Sequence, residues 1–295
     1  MNDIKAVVLA QEYIKAHHTD IEFSVENVCS AVGYSRRQVD RLFQKHMNIT
    51  LSEYINAVVL SESAEKLLNS DNSVIDVAFD SHYQSHEGYT RSFVKRFSIT
   101  PKEYRKRQIA IPIFTQHPVN HYYILKEGQA MDTTTICTVT PVNRPKRKLI
   151  YLTSKSATDY LSYCEEVGCD WEGLLNSIHE KFDTAALIDL PDSLQQKGIS
   201  KIAAGVEVPI DYKKTLPDGY EVAELPECVM LYFQSEPYDN PDDFGKYIGQ
   251  VFKAIENYNF ERYGYKYATS IAPTLNLGAE PEIGARIAIP VESIK

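Results

Sequence analysis

The chain has 295 residues, 43% of them hydrophobic, which is enough for two domains with separate cores. No apolar run approaches the roughly 18 residues of a membrane-spanning helix, and the polar N-terminus does not resemble an export signal. The net charge of −9 is unevenly distributed, since residues 1–110 hold 14 Lys and Arg against 14 Asp and Glu, and residues 111–295 hold 17 against 26. We therefore expect a cytoplasmic protein whose acidic surplus belongs to its second part.

The five cysteines are odd in number and lack CxxC spacing. This pattern argues against a disulfide framework or a zinc site and is typical of reduced cytoplasmic thiols. Cys164 and Cys169 are the only close pair, and we expect both to be small hydrophobic core residues. His117 and His121 have the spacing of metal ligands on a helix, but Pro118 would break that helix. We predict no metal and no cofactor.

One local pattern occurs twice in the first 107 residues: a short helix, a tight turn and a second helix rich in basic residues. The first copy opens at Ser24 and turns at residues 33–34, and the second opens at Ser73 and turns at residues 82–83. Two short helices joined by a tight turn, with the second one basic, describe a helix-turn-helix. Two copies in one chain predict binding to two successive major grooves of DNA.

The apolar residues of each second helix recur at helical spacing, which predicts the side that packs inward. The remaining residues then face outward, where arginine can read guanine and a carboxylate can accept a hydrogen bond from cytosine. The predicted DNA-contacting residues are Arg36, Arg37, Gln38, Asp40, Arg41 and Lys45 in the first copy and His86, Glu87, Thr90, Arg91, Lys95 and Arg96 in the second. The alternative is a solvated charged face without a partner.

Residues 85–105 resemble the signature of the AraC/XylS family, whose members have a Phe-x-x-x-Phe helix followed by a Thr/Ser-Pro-x-x-Tyr-Arg tail. Residues 33–55 match the first half of the same signature. The resemblance covers roughly residues 4–107 and implies a double helix-turn-helix domain. The chain departs from the family pattern at His82, where Gly is usual, and at Val59, where Arg is common.

Residues 51–68 predict a single helix between the two helix-turn-helix modules. A stiff helix would hold the two recognition helices near the ~34 Å separation of successive major grooves on one face of the duplex. A monomer can then bind an asymmetric site on double-stranded DNA, and no palindrome is required.

The second half of the chain also contains a duplication. A strand, an amphipathic helix and two further strands occur twice, which predicts a pseudo-twofold α+β unit with antiparallel sheets and a groove suited to a ligand. The paired segments are the strands 148–154 and 229–235, the helices 170–182 and 241–258, and the strands 204–209 and 285–290.

This half resembles the GyrI-like small-molecule-binding domain, which also follows a helix-turn-helix in Rob-type and BmrR-type regulators. The resemblance is carried by the duplicated strands, by residues 237–241 and 272–277, and by the terminal run 287–291. It implies an SHS2-type fold and a small-molecule effector. In many such domains the position of Asn276 is a glutamate that meets cationic ligands, whereas here it is a neutral amide.

Side-chain alternation along the strands provides a separate prediction of the ligand site. If the aliphatic residues at 150, 152, 206, 208, 231, 233, 275 and 277 pack under the helices, the residues between them face the opposite side. Two tyrosines, a carboxylate and an amide on that side suit an amphipathic or aromatic ligand. The predicted ligand-binding residues are Tyr151, Tyr163, Trp171, Glu207, Tyr232 and Asn276.

These features predict a multidomain chain: an all-α double helix-turn-helix domain (residues 1–107), a linker (108–130) and an α+β GyrI-like domain (131–295). We expect a transcription activator without enzymatic activity, controlled by a small effector and partnered by DNA and RNA polymerase. One alternative is hydrolysis at Glu207, Tyr151 and Tyr232, where a carboxylate would act as acid or base. Another is that the acidic second domain is a protein docking surface.

Overall fold

A computed structural model describes residues 3–116, 119 and 137–294 of the chain. The chain divides into two compact units, Met1–Tyr123 and Ile124–Lys295. The predicted boundary between residues 130 and 131 lies outside the described residues, as do His117 and His121. In the part of the chain that is described, no helix is long and apolar enough to cross a membrane.

The described part of the first unit is helical. Its helices are α1 (Asp3–His17), α2 (Val25–Val32), α3 (Arg36–Met47), α4 (Leu51–Asn69), α5 (Val74–Asp80), α6 (His86–Phe97) and α7 (Pro101–Arg107).

The pairs α2–α3 and α5–α6 are the two predicted helix-turn-helix modules, and their caps explain where each helix begins. The hydroxyl of Ser24 accepts the N–H of Asn27 at 3.2 Å, and that of Ser73 accepts the N–H of Asp76 at 3.2 Å. Each hydroxyl satisfies a backbone donor that the first helical turn leaves unpaired. The serines therefore start both modules where the sequence predicts.

The turn between the helices uses a left-handed backbone in both modules. Gly33 has φ 74°, and the corresponding residue of the second module, His82, has φ 60°. Such a φ is costly for residues with a Cβ atom. The imidazole Nε2 of His82 lies 3.0 Å from the carbonyl oxygen of His18, a contact that glycine could not make.

The central helix α4 supplies side chains to the cores of both modules. Tyr54 and Val58 belong to the first core, around Phe43, whereas Leu60 and Leu67 belong to the second, around Phe93. The Tyr89 hydroxyl donates to Ser63 Oγ at 3.1 Å, which attaches α6 to the same helix. Because one helix is part of both cores, each module limits the movement of the other.

The described part of the predicted linker packs on the helical unit. Ile111 is buried in the second core, and the ring of Phe114 lies edge-on to Tyr54 at 5.1 Å. The N–H of Phe114 donates to Ser61 Oγ at 2.8 Å, and the N–H of Val119 donates to Gln11 Oε1 at 2.8 Å. Apolar side chains in this stretch therefore make residues 108–116 and 119 part of the first unit.

The second unit combines strands with three helices in its described residues. Its elements are β1 (Cys137–Arg144), β2 (Arg147–Thr153), α8 (Tyr160–Val167), α9 (Trp171–Asn176), β3 (Ala186–Asp189), β4 (Ile202–Pro209), β5 (Glu221–Leu225), β6 (Cys228–Ser235), α10 (Phe244–Asn257), β7 (Tyr265–Tyr267), β8 (Thr274–Glu280) and β9 (Gly284–Ser293).

All strand pairs are antiparallel, and the sheet order is β1-β6-β9-β8-β3-β4-β2-β5, with β7 beside β9. The duplication is visible in this order, because β2, β3 and β4 with α8–α9 correspond to β6, β8 and β9 with α10. The two halves join where β3 pairs with β8. Helix α9 is shorter than the helix predicted over residues 170–182. It ends at Asn176, whose carbonyl oxygen accepts a hydrogen bond from the Lys181 ammonium at 2.9 Å.

The two faces of the sheet have separate apolar clusters. Along β6, Leu231 and Phe233 pack with α10, while Met230 and Tyr232 belong to the cluster on the opposite face. This alternation agrees with the predicted parity of β6. Leu275 and Leu277 of β8, however, lie in the same cluster as Tyr232, so the predicted parity of β8 is wrong.

Candidate functional site

Helix α3 exposes a stripe of long polar side chains. Arg37 and Arg41, one helical turn apart, are exposed and make no hydrogen bond or ion pair within the described residues. Gln44 extends the stripe and donates to Asn48 Oδ1 at 3.1 Å. The sequence analysis missed Gln44, although helical spacing from Arg37 and Arg41 would have placed it on the same face.

Two other predicted cations of α3 have partners within the molecule. The Arg36 guanidinium donates to Ser52 Oγ at 3.2 Å and lies 3.8 Å from a Glu26 carboxylate oxygen. Lys45 Nζ lies 2.8 Å from Asp3 Oδ2, which lowers the pKa of Asp3. These contacts are at the surface, so they position the cations without removing them from solvent.

Gln38 and Asp40 make local structural contacts at the starts of two helices. The Gln38 side-chain oxygen accepts the backbone N–H of Ser35 at 2.9 Å and so caps the start of α3. Asp40 is half-buried, and its carboxylate accepts the N–H of Leu51 at 3.2 Å, at the start of α4. A carboxylate at a helix N-terminus satisfies an unpaired donor and meets the positive end of the helix dipole. Asp40 therefore has a structural role at the start of α4, and base reading by its carboxylate stays a prediction.

Helix α6 exposes Glu87, Arg91 and Lys95, which recur every four residues. These three residues correspond to Arg37, Arg41 and Lys45 of α3 when the two modules are aligned from their serine caps. Val94 is also exposed, at 38%, and corresponds to Gln44. The two helices therefore present equivalent faces with different chemistry.

The structure directs the other predicted residues of α6 away from that face. The Thr90 hydroxyl is buried, and His86 is half-buried in the first turn. Arg96 has a buried Nε, and its guanidinium lies 5.8 Å from the centre of the Phe114 ring. Thr90 and Arg96 lie on the sides of α6 nearest the buried Tyr89 and Phe93. The prediction that Thr90 faces outward is therefore wrong, and DNA contact by Arg96 stays a prediction.

In the second unit, Glu207 is buried between two arginines. Its carboxylate accepts from Arg147 Nε at 2.7 Å and lies 3.3 Å from Arg144 Nε. Arg147 is fully buried, and it also donates to the Pro226 carbonyl oxygen at 2.7 Å. Because two guanidinium groups neutralise this carboxylate, Glu207 is not a free anion for a cationic ligand.

The same network includes Tyr232 and Asp183. Arg144 donates to the Tyr232 hydroxyl and lies 3.6 Å from an Asp183 oxygen, and Arg286 lies 3.3 Å from the other Asp183 oxygen. Burial raises the pKa of Tyr232, so its hydroxyl remains protonated at neutral pH. The network links β1, β2, β4, β6 and β9 through side chains.

Tyr151 lies in the same cluster as Tyr232, and its hydroxyl donates to Glu221 at 3.3 Å. Tyr163 and Trp171 lie elsewhere, on α8 and α9, with their ring centres 6.0 Å apart. The Tyr163 hydroxyl donates to the Leu152 carbonyl oxygen at 2.7 Å. The six predicted ligand residues therefore do not converge on one groove.

Asn276 is the clearest error of parity. It pairs with Ile287, which packs under α10, so it belongs to the helix-covered face and not to the face of Tyr232. Its side-chain oxygen accepts the Gly278 N–H at 3.1 Å, inside an irregularity of β8 between residues 276 and 279. A shift of one residue reverses every side chain of a strand, and the predicted role depended on that register.

A surface cleft of about 260 Å³ lies elsewhere in the second unit, at the edge of β1 and the C-terminal end of α10. Tyr258 and Tyr263 line it with stacked rings 4.9 Å apart, and Arg262, Asn257 and Asn259 supply polar groups. None of the six predicted ligand residues lines this cleft. The sequence signal was a dense run of aromatic and amide residues at 257–263.

Known proteins match the helical unit. A family model described as a helix-turn-helix domain matches residues 28–107. Multiple antibiotic resistance protein MarA of Escherichia coli (strain K12) is 31% identical over 99 residues, which is 34% of this chain and 78% of that protein. Transcriptional regulator Rob of Salmonella typhimurium is 35% identical over 89 residues, 30% of this chain and 31% of that protein.

Two further matches are of similar extent. The putative regulator YkgA of Escherichia coli (strain K12) is 36% identical over 84 residues, 28% of this chain and 35% of that protein. The chain thus spans about a third of the length of YkgA and of Rob. A solved AraC-type DNA-binding domain protein from Chromobacterium violaceum is 23% identical, with a TM-score of 0.33, over 35% of this chain and 91% of that chain.

Proposed function

Because the chain belongs, through its helical unit, to the AraC-type helix-turn-helix family of transcription regulators, we propose that it binds specific DNA sequences and regulates transcription in the cytoplasm. The observation that carries this proposal is the pair of exposed faces on α3 and α6. Arg37 and Arg41 on one, and Glu87 and Arg91 on the other, occupy equivalent positions after equivalent turns. Such side chains discriminate bases in a major groove.

The net charge of the chain does not oppose this assignment. Phosphate binding depends on local potential, and basic residues are concentrated in α3, α6 and α7. Lys95 on the exposed face of α6, and Lys102, Lys106 and Arg107 of α7, are exposed and suited to phosphate contacts. Arg37, Arg41 and Arg91 are suited to base contacts.

Selection of bound sequences from a pool of random DNA duplexes tests the proposal directly. We expect enrichment of one asymmetric motif with two parts about one helical turn apart. The affinity should fall steeply with salt concentration, because phosphate contacts release counterions. Enrichment of no motif, with equal binding to all sequences, would overturn the assignment of α3 and α6 as recognition helices.

We also propose that the second unit is a GyrI-like effector domain that binds a small molecule. The repeated strand-helix-strand-strand order supports this part, as does the presence of a cleft lined by tyrosines. Since Glu207 is neutralised by Arg144 and Arg147, the candidate ligand is an aromatic molecule that is neutral or acidic, and Arg262 is suited to an acidic group. The same neutralisation argues against Glu207 as a catalytic acid.

A thermal-shift screen of the full chain against lipophilic cations, neutral aromatics and aromatic acids tests this second part. We expect a saturable rise in Tm with aromatic acids, reduced by Arg262→Ala and unaffected by Tyr151→Phe. Mass analysis of each hit should show unchanged compound. Product formation would favour the hydrolase alternative, and the absence of any shift would favour the docking surface.

We propose activation as the sign of regulation, with RNA polymerase as the further partner. In vitro transcription from a template that carries the selected motif upstream of a promoter measures this sign. More transcript with the protein than without it would support activation. Less transcript would assign the chain as a repressor.

A further inference from the structure

Cys164 and Cys169 flank the turn between α8 and α9. Cys164 lies in the last part of α8, and the N–H of Gly168 bonds to its carbonyl oxygen at 2.9 Å. Gly168 then turns the chain with φ 96°, and Cys169 follows it directly. The backbone therefore returns toward the end of α8, and the thiols of Cys164 and Cys169 lie close enough for each to shift the pKa of the other.

This pair differs from the predicted small hydrophobic core residues. Cys169 is exposed and Cys164 is half-buried, so both sulfurs are near the surface. The remaining cysteines differ: Cys29 is buried, and burial raises the pKa values of Cys29, Cys137 and Cys228.

Two neighbours favour the thiolate of Cys164. They are first the thiol of Cys169 and then the phenol of Tyr160, one helical turn earlier, whose ring lies 6.5 Å from that of Trp171. Groups that donate to a thiolate favour its charged form, and here they outweigh burial and the nearby Glu172 carboxylate. They lower the pKa of Cys164 to about 7.

Cys169 has the opposite environment. The sulfur of Cys164, together with the neighbouring carboxylates of Asp170 and Glu172, raises the pKa of Cys169, so Cys169 remains a thiol when Cys164 has ionised. A thiolate beside an accessible second thiol is the arrangement of a nucleophilic cysteine with its resolving partner.

We propose that Cys164 and Cys169 form a peroxide-reactive site that closes to a reversible disulfide. The Cys164 sulfur attacks a peroxide oxygen, the O–O bond breaks, and a proton from solvent allows water to leave, so that Cys164 becomes a sulfenic acid. The Cys169 thiol then attacks that sulfur and loses its proton, the S–S bond forms, and the S–O bond breaks with release of a second water. The two thiols supply the two electrons that reduce the peroxide.

The first test is alkylation of the reduced full chain at pH 7 with iodoacetamide, followed by mass mapping. We expect Cys164 to react at least about fivefold faster than Cys137, because the larger thiolate fraction outweighs the lower nucleophilicity of a more acidic thiol. The rate at Cys164 should rise with pH to a midpoint near 7. Equal rates at the two cysteines would overturn the proposal.

The second test is titration of the same protein with hydrogen peroxide. We expect a Cys164–Cys169 crosslink, reversed by dithiothreitol, and a change in the fluorescence of Trp171, the single tryptophan of the chain. Cys169→Ser should instead accumulate a sulfenic acid at Cys164 that dimedone traps. Cys137→Ser is the matched control and should behave as the wild type.

The variants also separate reactivity from folding. Far-ultraviolet circular dichroism identifies a variant that has not folded. Such a variant is set aside, and crosslink formation in the wild-type protein then decides whether the site exists. Peroxide that oxidises methionines or other cysteines first, with Cys164 and Cys169 still reduced, would refute the site.

Discussion

Arg41 and Arg36 lie on the same helix but differ in the surroundings of their guanidinium groups. Arg36 contacts Ser52 and Glu26, whereas Arg41 has neither a hydrogen bond nor an ion pair within the described residues. We expect Arg41→Ala to weaken binding to the selected DNA by about 1–3 kcal/mol and to relax preference at one base pair. Arg36→Ala is the matched control. Fluorescence anisotropy with the selected duplex and single-base variants measures both.

An equal loss by Arg41→Ala on every duplex would show that Arg41 contacts phosphate and not a base. In that case the dependence of affinity on salt should also decrease, since one phosphate contact is lost. The two roles of the side chain are therefore separated by the same set of titrations.

Glu207 is expected to be a structural residue. Glu207→Gln leaves the guanidinium groups of Arg144 and Arg147 buried without their countercharge, which should lower the free energy of unfolding by about 3 kcal/mol. Urea unfolding followed by Trp171 fluorescence measures the loss. Glu224→Gln, which breaks an exposed pair with Lys146, is the control and should change little. An unchanged midpoint for Glu207→Gln would contradict a structural role.

For single residues, the sequence predicts the exposure of a side chain better than it predicts its hydrogen-bond and ion-pair partners. Helical spacing correctly placed Arg37, Arg41 and Arg91 on exposed faces, because spacing within one helix is local information. The partner of Asp40 is the start of the next helix, and those of Glu207 come from the β1–β2 corner about sixty positions earlier. Such contacts depend on tertiary structure, which periodicity does not contain.

The turn of the first module depends on the backbone of Gly33. An added Cβ atom would meet nothing within 4 Å at Gly33 or at Gly245 of α10, but only Gly33 has a positive φ. We expect Gly33→Ala to lower stability by about 1–2 kcal/mol, because an L-residue is strained there. Gly245→Ala should be neutral or stabilise by up to about 1 kcal/mol, because alanine favours helix. Thermal unfolding followed by circular dichroism compares the two. Similar effects of both substitutions would mean that the left-handed turn is not required.

Helices that have capping residues and regular apolar spacing were predicted well. The faces of strands that depend on pairing with distant strands were not. The serine caps and the apolar spacing of α3 and α6 are local, so the two modules could be identified from sequence. The orientation of β8 depends on its pairing with β3 and β9, which puts Leu275 on the face of Tyr232 and Asn276 on the opposite face. A register change of one residue reverses the faces of a strand, and nothing in the composition of β8 indicates its register.

In the helical unit, α4 is expected to fix the separation of the two DNA-binding modules. Inserting about five base pairs between the two parts of the selected motif places them on opposite sides of the duplex, and affinity should fall about 10³-fold, toward that of unspecific DNA. Inserting a full helical turn of about ten base pairs should not restore it, because α4 is part of both cores. Restored binding with the longer insertion would show that the modules move independently. Band-shift titrations measure both cases.

For the whole molecule, the duplication in each unit was readable from the sequence because each copy repeats its own local pattern. The extent of the first unit was not, since Ile111 and Phe114 join its cores from a stretch without helical periodicity. Apolar residues in an irregular segment indicate burial but not the surface that buries them.

The duplicated recognition faces are not interchangeable: where α3 has Arg37 and Gln44, α6 has Glu87 and Val94. If these faces enter successive grooves as proposed, one groove meets a cation and an amide and the next meets an anion and an apolar side chain, so the molecule has a head and a tail on the DNA. We therefore expect a directional site, and turning it end for end would turn the bound protein around with respect to the transcription start.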